Sequence, residues 1–214
     1  ETLEPEFSVE KYPKDGPLPI GCERFPLWHS LVGEMQACDL PRAILTGTPY
    51  PLKMLYAHGM NFRMFPGASE MRQALEHLEF FVDADIFLSD SAKYADIVLP
   101  VCTPYERDEF KVFGGGFAQY TQPVIAPLYQ ARRDDEIILE LARRLDVDDE
   151  LLKSDRDTCI RHMLRDTPID LDELKRHPEL PQKIPGLEIT PVGQHGSQTP
   201  SGKFELDSLA IQAL

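Results

Sequence analysis

The stretch from residue 80 to residue 100 constrains the fold more than any other part of this sequence. Two short apolar runs, residues 80–84 and residues 97–99, lie on either side of a polar turn. Short runs rich in aromatic and β-branched residues favour strands, and Pro100 closes the second run because it cannot donate to a strand ladder. We therefore predict two buried strands in this stretch.

The turn between these strands carries Asp85, Ser89, Asp90 and Ser91, whose short side chains all end in oxygen atoms. Such residues are common in turns and helix caps, where they bind the backbone. They are equally suited to contact a ligand at the end of a strand. The local sequence leaves both interpretations open.

The preceding residues extend the pattern to a βαβ unit. Residues 53–58 predict a strand, and a loop over residues 58–67 leads to a helix that Ser69 can cap. The apolar residues of this helix form one stripe at positions 71, 74, 75 and 78. Because the two strands must run parallel, the loop at 59–66 and the turn at 85–91 face one crevice, where open α/β sheets bind ligands.

Further helices are predicted over about residues 26–36, from Asp134 onward, over about 155–165 and near 169–176. Residues 43–45 are a possible short strand or buried loop, and residues 186–190 and 203–206 are possible short strands.

The helix from Asp134 is expected to bury its apolar residues at 137, 138, 141 and 145. Three acids at its start match the helix dipole, so capping competes with any ligand role for Asp134. Gly114 to Gly116 predict a flexible turn, since no Lys-Ser/Thr follows as in a phosphate loop.

The predicted fold class is α/β, with a three-layer, Rossmann-like parallel sheet and helices on both faces. We expect an extended arm over residues 1–24 and an α/β dinucleotide-binding domain over 25–150. A helical and irregular extension is expected over 151–214.

Composition excludes several functions. The formal net charge of −14 argues against a nucleic-acid-binding protein. No apolar run approaches the roughly 20 residues of a membrane span, and the first residues carry no export signal, which leaves the compartment open. The four cysteines lie far apart, and Cys159 with His162 has no second pair, so we predict no metal site.

Three segments carry a family resemblance. Residues 85–100 (DIFLSDSAKYADIVLP), 132–145 (RRDDEIILELARRL) and 199–206 (TPSGKFEL) resemble the third domain of molybdopterin oxidoreductases of the dimethyl-sulfoxide-reductase family. Ser89 and Ser91 replace the threonines that are usual in the family, which keeps a hydroxyl at both positions. Phe62 replaces the proline that often follows Asn61 in the first loop.

The resemblance implies a fragment of a molybdenum or tungsten oxidoreductase with a bis-molybdopterin-guanine-dinucleotide cofactor. The domain would bind the guanosine and pyrophosphate end of one pterin cofactor. No catalytic residue or metal ligand is expected in the fragment, which by itself would be inactive. The resemblance further implies that an iron–sulfur cluster lies outside this fragment, and that the remaining domains of the chain and an iron–sulfur electron-transfer subunit are its partners. The cofactor-binding residues that it implies are Gly59, Asn61, Asp85, Ser89, Arg107 and Asp134.

Two alternatives remain. One is an ordinary NAD-binding domain, although no G-x-G-x-x-G follows the strand at 53–57. The other is a catalytically inert assembly domain related to the large subunit of NADH dehydrogenases.

Overall fold

The computed structural model describes residues 17–32, 34–113, 116–186 and 202–203. Most of the predicted N-terminal arm lies outside these residues, as do Gly114, Gly115 and most of the last two predicted strands. Within the described ranges, no helix has the length and hydropathy needed to cross a membrane.

A three-stranded parallel sheet forms the centre of the fold. Its strands are β1 (Met54–His58), β2 (Phe80–Asp85) and β3 (Ile97–Pro100), in the order β1-β2-β3. Helix α3 (Ala68–His77) connects β1 to β2, which confirms the predicted βαβ unit. The carboxyl ends of all three strands therefore lie along one edge of the sheet, as expected.

One face of this sheet packs on α3 and on α2 (Leu40–Thr46). The core there includes Ala43, Ile44 and Met71. The prediction of a strand or loop at residues 43–45 was wrong, because Leu40, Ala43 and Ile44 recur at helical spacing and form one buried stripe. The first helix, α1 (Pro26–Val32), is shorter than predicted and leaves Trp28 exposed.

The opposite face of the sheet is flanked by α4 (Asp134–Arg144), so helices lie on both faces and the predicted fold class is confirmed. A groove of about 590 Å³ separates α4 from the sheet. Ile97 and Val98 of β3 remain exposed, which corrects the prediction of a buried strand at residues 97–99. Helix α4 buries Leu139 and Ala142, whereas the predicted core positions 138 and 145 are exposed.

A second, antiparallel sheet follows in the chain. It contains β4 (Glu109–Phe113), β5 (Phe117–Thr121) and β6 (Gln182–Lys183). Three helices complete this part: α5 (Glu150–Lys153), α6 (Arg156–Leu164) and α7 (Leu171–Arg176). Residues of β5, α6 and α7 form its core, including Tyr120, Leu164 and Leu174.

The two helices predicted near 155–165 and 169–176 correspond to α6 and α7. The Asp155 side chain accepts the Thr158 N–H at the start of α6. Ser69 does not cap α3, because the helix already begins at Ala68. Gly67 occupies the N-cap position, with a φ of 74°. Glycine tolerates this left-handed conformation better than any other residue.

Candidate functional site

The first loop at the carboxyl edge begins at Gly59. Its backbone has a φ of 56°, and its N–H donates to the carbonyl of Ala84 at 2.8 Å. This hydrogen bond turns the loop over the end of β2. A Cβ atom at Gly59 would meet no heavy atom within 4 Å, so the positive φ, rather than crowding, favours glycine here. The next predicted residue, Asn61, is exposed, and its Oδ1 accepts the Arg63 N–H at 3.1 Å.

The second loop contains Asp85 and Ser89. Oδ1 of Asp85 accepts the Phe87 N–H at 3.0 Å, and Oγ of Ser89 accepts the Ala92 N–H at 3.1 Å. Both side chains therefore have the turn-forming role that the local sequence allowed. Among the described residues, however, no donor contacts Oδ2 of Asp85. One carboxylate oxygen at this edge is thus free to accept a hydrogen bond from a ligand.

The two loops are joined to each other. Ser91 is buried, and its Oγ accepts the Phe62 N–H at 2.9 Å. Arg63 donates to Asp90 at 2.6 Å, and the rings of Phe62 and Tyr94 meet edge to face. Hydrogen bonds from Lys93 and then Arg63 lower the pKa of Asp90. These contacts hold both loops as one unit above the sheet edge.

Asp134 lies on the α4 side of the same edge, at the first residue of that helix. Its Oδ2 accepts the Arg107 Nη1–H at 2.6 Å, and its Oδ1 lies 3.1 Å from Nδ1 of His58. His58 ends β1 and directly precedes Gly59. The structure thus brings Arg107 and Asp134 into direct contact, and His58 connects them to the first loop.

Two buried polar atoms beside Asp134 have no hydrogen-bond partner among the described residues. They are Nε of Arg107 and the hydroxyl oxygen of Tyr56. Burial raises the pKa of Tyr56, and the charge of Asp134 adds to this effect. Buried polar groups are rarely left unpaired in proteins, so these two atoms mark a place where a ligand or water can bind.

A network of ion pairs lies beside Arg107 and Asp134. Arg133 and Arg156 both contact Asp108 and Asp135, and Arg156 Nε donates to Asp135 at 2.5 Å. Burial raises the pKa of Asp135, but the hydrogen bonds and charges of the two arginines outweigh burial and lower it. Three residues of this network, Asp108, Asp135 and Arg156, line a polar cleft of about 270 Å³ together with Arg107 and Asp134.

Glu106 fixes the backbone just before Arg107. One of its oxygens accepts the N–H and the hydroxyl of Thr103, at 2.8 and 2.7 Å. The other accepts the Leu128 N–H at 2.6 Å. Hydrogen bonds from Thr103 and Leu128 lower the pKa of this carboxyl group.

Sequence reasoning did not identify His58, Tyr56 or Glu106 as site residues. His58 could have been found from its place at the end of a parallel strand, beside the predicted Gly59. For Glu106 the local signal was only that of a turn, because two of its three donors belong to Thr103, three residues earlier. The third donor, the Leu128 N–H, lies 22 positions away, and only the fold brings it to Glu106.

Comparison with known proteins decides the family. The family model described as molybdopterin oxidoreductase matches residues 38–144, which is half of the chain. The chain belongs to the molybdopterin oxidoreductase family. The matched region contains both loops, Arg107 and Asp134, so all six predicted cofactor-binding residues lie within it.

Individual relatives of this family are longer proteins. The chain is 33% identical to the probable oxidoreductase YoaE of Bacillus subtilis, over 79% of this chain and 26% of that protein. It is 30% identical to the thiosulfate reductase molybdopterin-containing subunit PhsA of Salmonella typhimurium, with the same coverage of each chain. The chain therefore spans about a quarter of the length of these relatives.

The fold also occurs in a solved structure. Acetylene hydratase from Pelobacter acetylenicus superposes with a TM-score of 0.71, covering 92% of this chain and 30% of that chain at 24% identity.

Proposed function

We propose that this chain binds the guanosine and pyrophosphate end of a molybdopterin guanine dinucleotide at the carboxyl edge of its parallel sheet. The observation that carries the proposal is the set of unpaired polar atoms at this edge. Within the described part of the chain, Oδ2 of Asp85 is an acceptor without a donor, and Nε of Arg107 is a buried donor without an acceptor. A guanine nucleotide supplies both complements, since its base presents N–H donors and its phosphates present anionic oxygens.

Asp85 is the proposed contact to guanine. The base carries adjacent donors at N1 and at the exocyclic amino group, and an ionised carboxylate accepts such a pair. Adenine presents a different pattern, with an acceptor at N1. Asp85 therefore favours guanine over adenine.

Arg107 is the proposed contact to the pyrophosphate. Its guanidinium is partly buried and is oriented by the Asp134 carboxylate at 2.6 Å and by Glu109 at 3.6 Å. A guanidinium held in this way still offers its unpaired Nε–H to a phosphate oxygen. Glu106 stabilises the backbone that presents it.

Asp134 contributes by fixing Arg107 and His58, and its carboxylate can still accept further hydrogen bonds from a ligand. Each of its oxygens has one protein partner, whereas an ionised carboxylate has about four acceptor positions. Gly59 is proposed to offer backbone near the ligand, and Asn61 its side-chain amide. Ser89 is proposed to offer its hydroxyl hydrogen.

We extend the proposal to the longer protein. By similarity to its family, that protein is proposed to be an oxidoreductase whose bound molybdenum or tungsten supplies two-electron redox chemistry. Because one relative is named as the molybdopterin-containing subunit of thiosulfate reductase, we propose other subunits as partners, among them an iron–sulfur electron-transfer subunit. The residues described here would bind and orient the cofactor, and none of them is proposed as catalytic.

Isothermal titration of the 214-residue chain with GDP and with ADP tests the proposal. We expect GDP to bind at least about tenfold more tightly than ADP, because a charge-assisted hydrogen bond contributes about 1.5–3 kcal/mol. Asp85→Ala should abolish this preference. Asp166→Ala is the matched control, since Asp166 is an exposed carboxylate after α6, outside the sheet edge.

Equal binding of GDP and ADP, unchanged by Asp85→Ala, would contradict the guanine assignment. Tight binding of NAD would support the ordinary dinucleotide-binding domain. A failure to bind any of these nucleotides would support the catalytically inert assembly domain.

A further inference from the structure

The most unusual buried group in the described part of the chain is the carboxyl group of Asp83. This side chain is completely buried, and neither of its oxygens has a hydrogen-bond partner among the described residues. A buried carboxyl group without partners is costly, whether neutral or ionised. The other fully buried carboxylate, that of Asp39, is paired with Arg24 and Arg42.

Asp83 lies directly beneath the first loop of the proposed site. Side chains alternate along β2, so Asp83 shares a face with Phe81 and Asp85. Phe81 packs in the same core as Met60 and Phe62 of that loop. In register, Asp83 lies opposite Ala57 of β1, two residues before Gly59.

The charges around Asp83 agree with this placement. Burial raises the pKa of Asp83, and the negative charge of Asp85 raises it further. The backbone amide of Met60 and the charge of His58 act in the opposite direction. The backbone of the loop between Gly59 and Asn61 is therefore close enough to influence the carboxyl group, although it forms no complete hydrogen bond with it.

We propose that Asp83 is a positioning residue for the first loop of the proposed site, and that its oxygens accept the backbone N–H groups of Met60 and Asn61 when a guanine nucleotide is bound. This inference rests on the proposed function of the sheet edge. Asp83 does not touch the ligand. It contributes an acceptor that becomes paired only in the bound state. The unpaired carboxyl group raises the free energy of the free protein relative to the bound protein, and this difference favours ligand binding.

This role predicts opposite effects on stability and binding. Asp83→Val removes both oxygens and places a residue with high strand propensity in β2. Its melting temperature should equal or exceed that of the wild type, because a costly buried group is removed and, among the described residues, Asp83 accepts no hydrogen bond of normal geometry. Its affinity for GDP should fall by about tenfold, the value of one hydrogen bond gained on binding.

Asp83→Asn is the conservative variant. It keeps one oxygen at the same place, and we expect it to retain GDP affinity within about threefold of the wild type. It also serves if Asp83→Val does not fold. In that case, amide exchange of Met60 is measured in the wild type and in Asp83→Asn, with and without GDP, and GDP should slow the exchange in both.

The outcomes separate the two proposals. If the wild type does not bind GDP, the proposed function fails and this inference fails with it. If the wild type binds GDP and folded Asp83→Val binds it equally well, only the inference fails. A Met60 amide whose exchange is unaffected by bound GDP would also overturn it.

Discussion

At the scale of single residues, the site depends on which polar atoms the fold has already paired. Asn61, Asp85 and Ser89 each use one oxygen to accept a backbone N–H of their own loop. Capping and binding are therefore compatible roles, because Asn61 keeps its amide group, Asp85 keeps its second oxygen and Ser89 keeps its hydroxyl hydrogen. Arg107 differs, since Asp134 holds it and its buried Nε–H has no partner among the residues that the structure describes.

Replacing Arg107 should weaken the phosphate contact and leave the base contact intact. We expect Arg107→Ala to lower the affinity for GDP by about tenfold or more, the value of a hydrogen bond to a charged group. The affinity for guanosine, which has no phosphate, should change little. Titration calorimetry with both ligands measures the difference.

The control for this experiment is Arg161→Ala, which removes an arginine of α6 paired with Asp172. An equal loss of GDP and guanosine affinity in Arg107→Ala would show that Arg107 supports the site only through its structure.

At the scale of elements, the two loops at the sheet edge act as one unit. The hydrogen bond from the Phe62 N–H to the buried Ser91 hydroxyl joins them in their interior. The ion pair between Arg63 and Asp90 joins them at the surface, where such pairs contribute little. The buried hydrogen bond should therefore contribute most to the joint position of the loops.

Ser91→Ala should destabilise the chain by about 1–3 kcal/mol, because it leaves the Phe62 N–H buried without an acceptor. Chemical denaturation measures the free energy of unfolding, and amide exchange at Phe62 should become faster. Ser69→Ala is the control, as Ser69 is exposed on α3 and alanine favours a helix. An unchanged exchange rate at Phe62 would show that the Ser91 hydroxyl does not hold this loop.

The sequence was sufficient to predict the elements whose apolar residues are strictly periodic. The βαβ unit from β1 to β2 and the start of α4 were predicted correctly. The hairpin of β4 and β5 was missed, although Phe110 and Val112 alternate there with the charged residues Glu109 and Lys111. The glycines between its strands indicated a flexible turn, and only pairing with β5 shows why this polar segment forms a strand.

The site was predictable only in part for a related reason. The edge rule for parallel sheets pointed to Gly59 and Asp85 from local sequence. The contact between His58 and Asp134 joins residues 76 positions apart, and no local pattern indicates it.

At the scale of the whole molecule, two fully buried carboxyl groups change the pH dependence of stability in opposite directions. Hydrogen bonds from Arg42 lower the pKa of Asp39 below its ordinary value of 3.8 despite burial, and Arg24 adds to the effect. Burial raises the pKa of Asp83 above the same value. Asp39 therefore stabilises the fold above pH 3.8, and this contribution is lost as the pH falls below that value. Asp83 has the reverse effect, since the additional cost of ionising it is absent below pH 3.8 and grows as the pH rises above that value.

Thermal unfolding measured at neutral pH and at pH values near 3.8 should separate the contributions of Asp39 and Asp83 to stability. At neutral pH, Asp39→Asn should lower the melting temperature, and the difference from the wild type should shrink in acid. Asp83→Asn should raise the melting temperature at neutral pH, and that difference should also shrink in acid. Variants that shift the melting temperature in the same direction would contradict the assigned pKa directions.

The central claim is that a guanine nucleotide binds at the carboxyl edge of the parallel sheet. An NMR titration of the isotopically labelled 214-residue chain with GDP tests this claim most directly, because it locates the ligand without a substitution. The account predicts that the largest shifts of amide signals occur at Gly59, Asn61, Asp85 and Ser89, with little change in α6 and α7, and that ADP produces smaller shifts. Shifts centred on α6 and α7, or equal shifts with ADP, would contradict it.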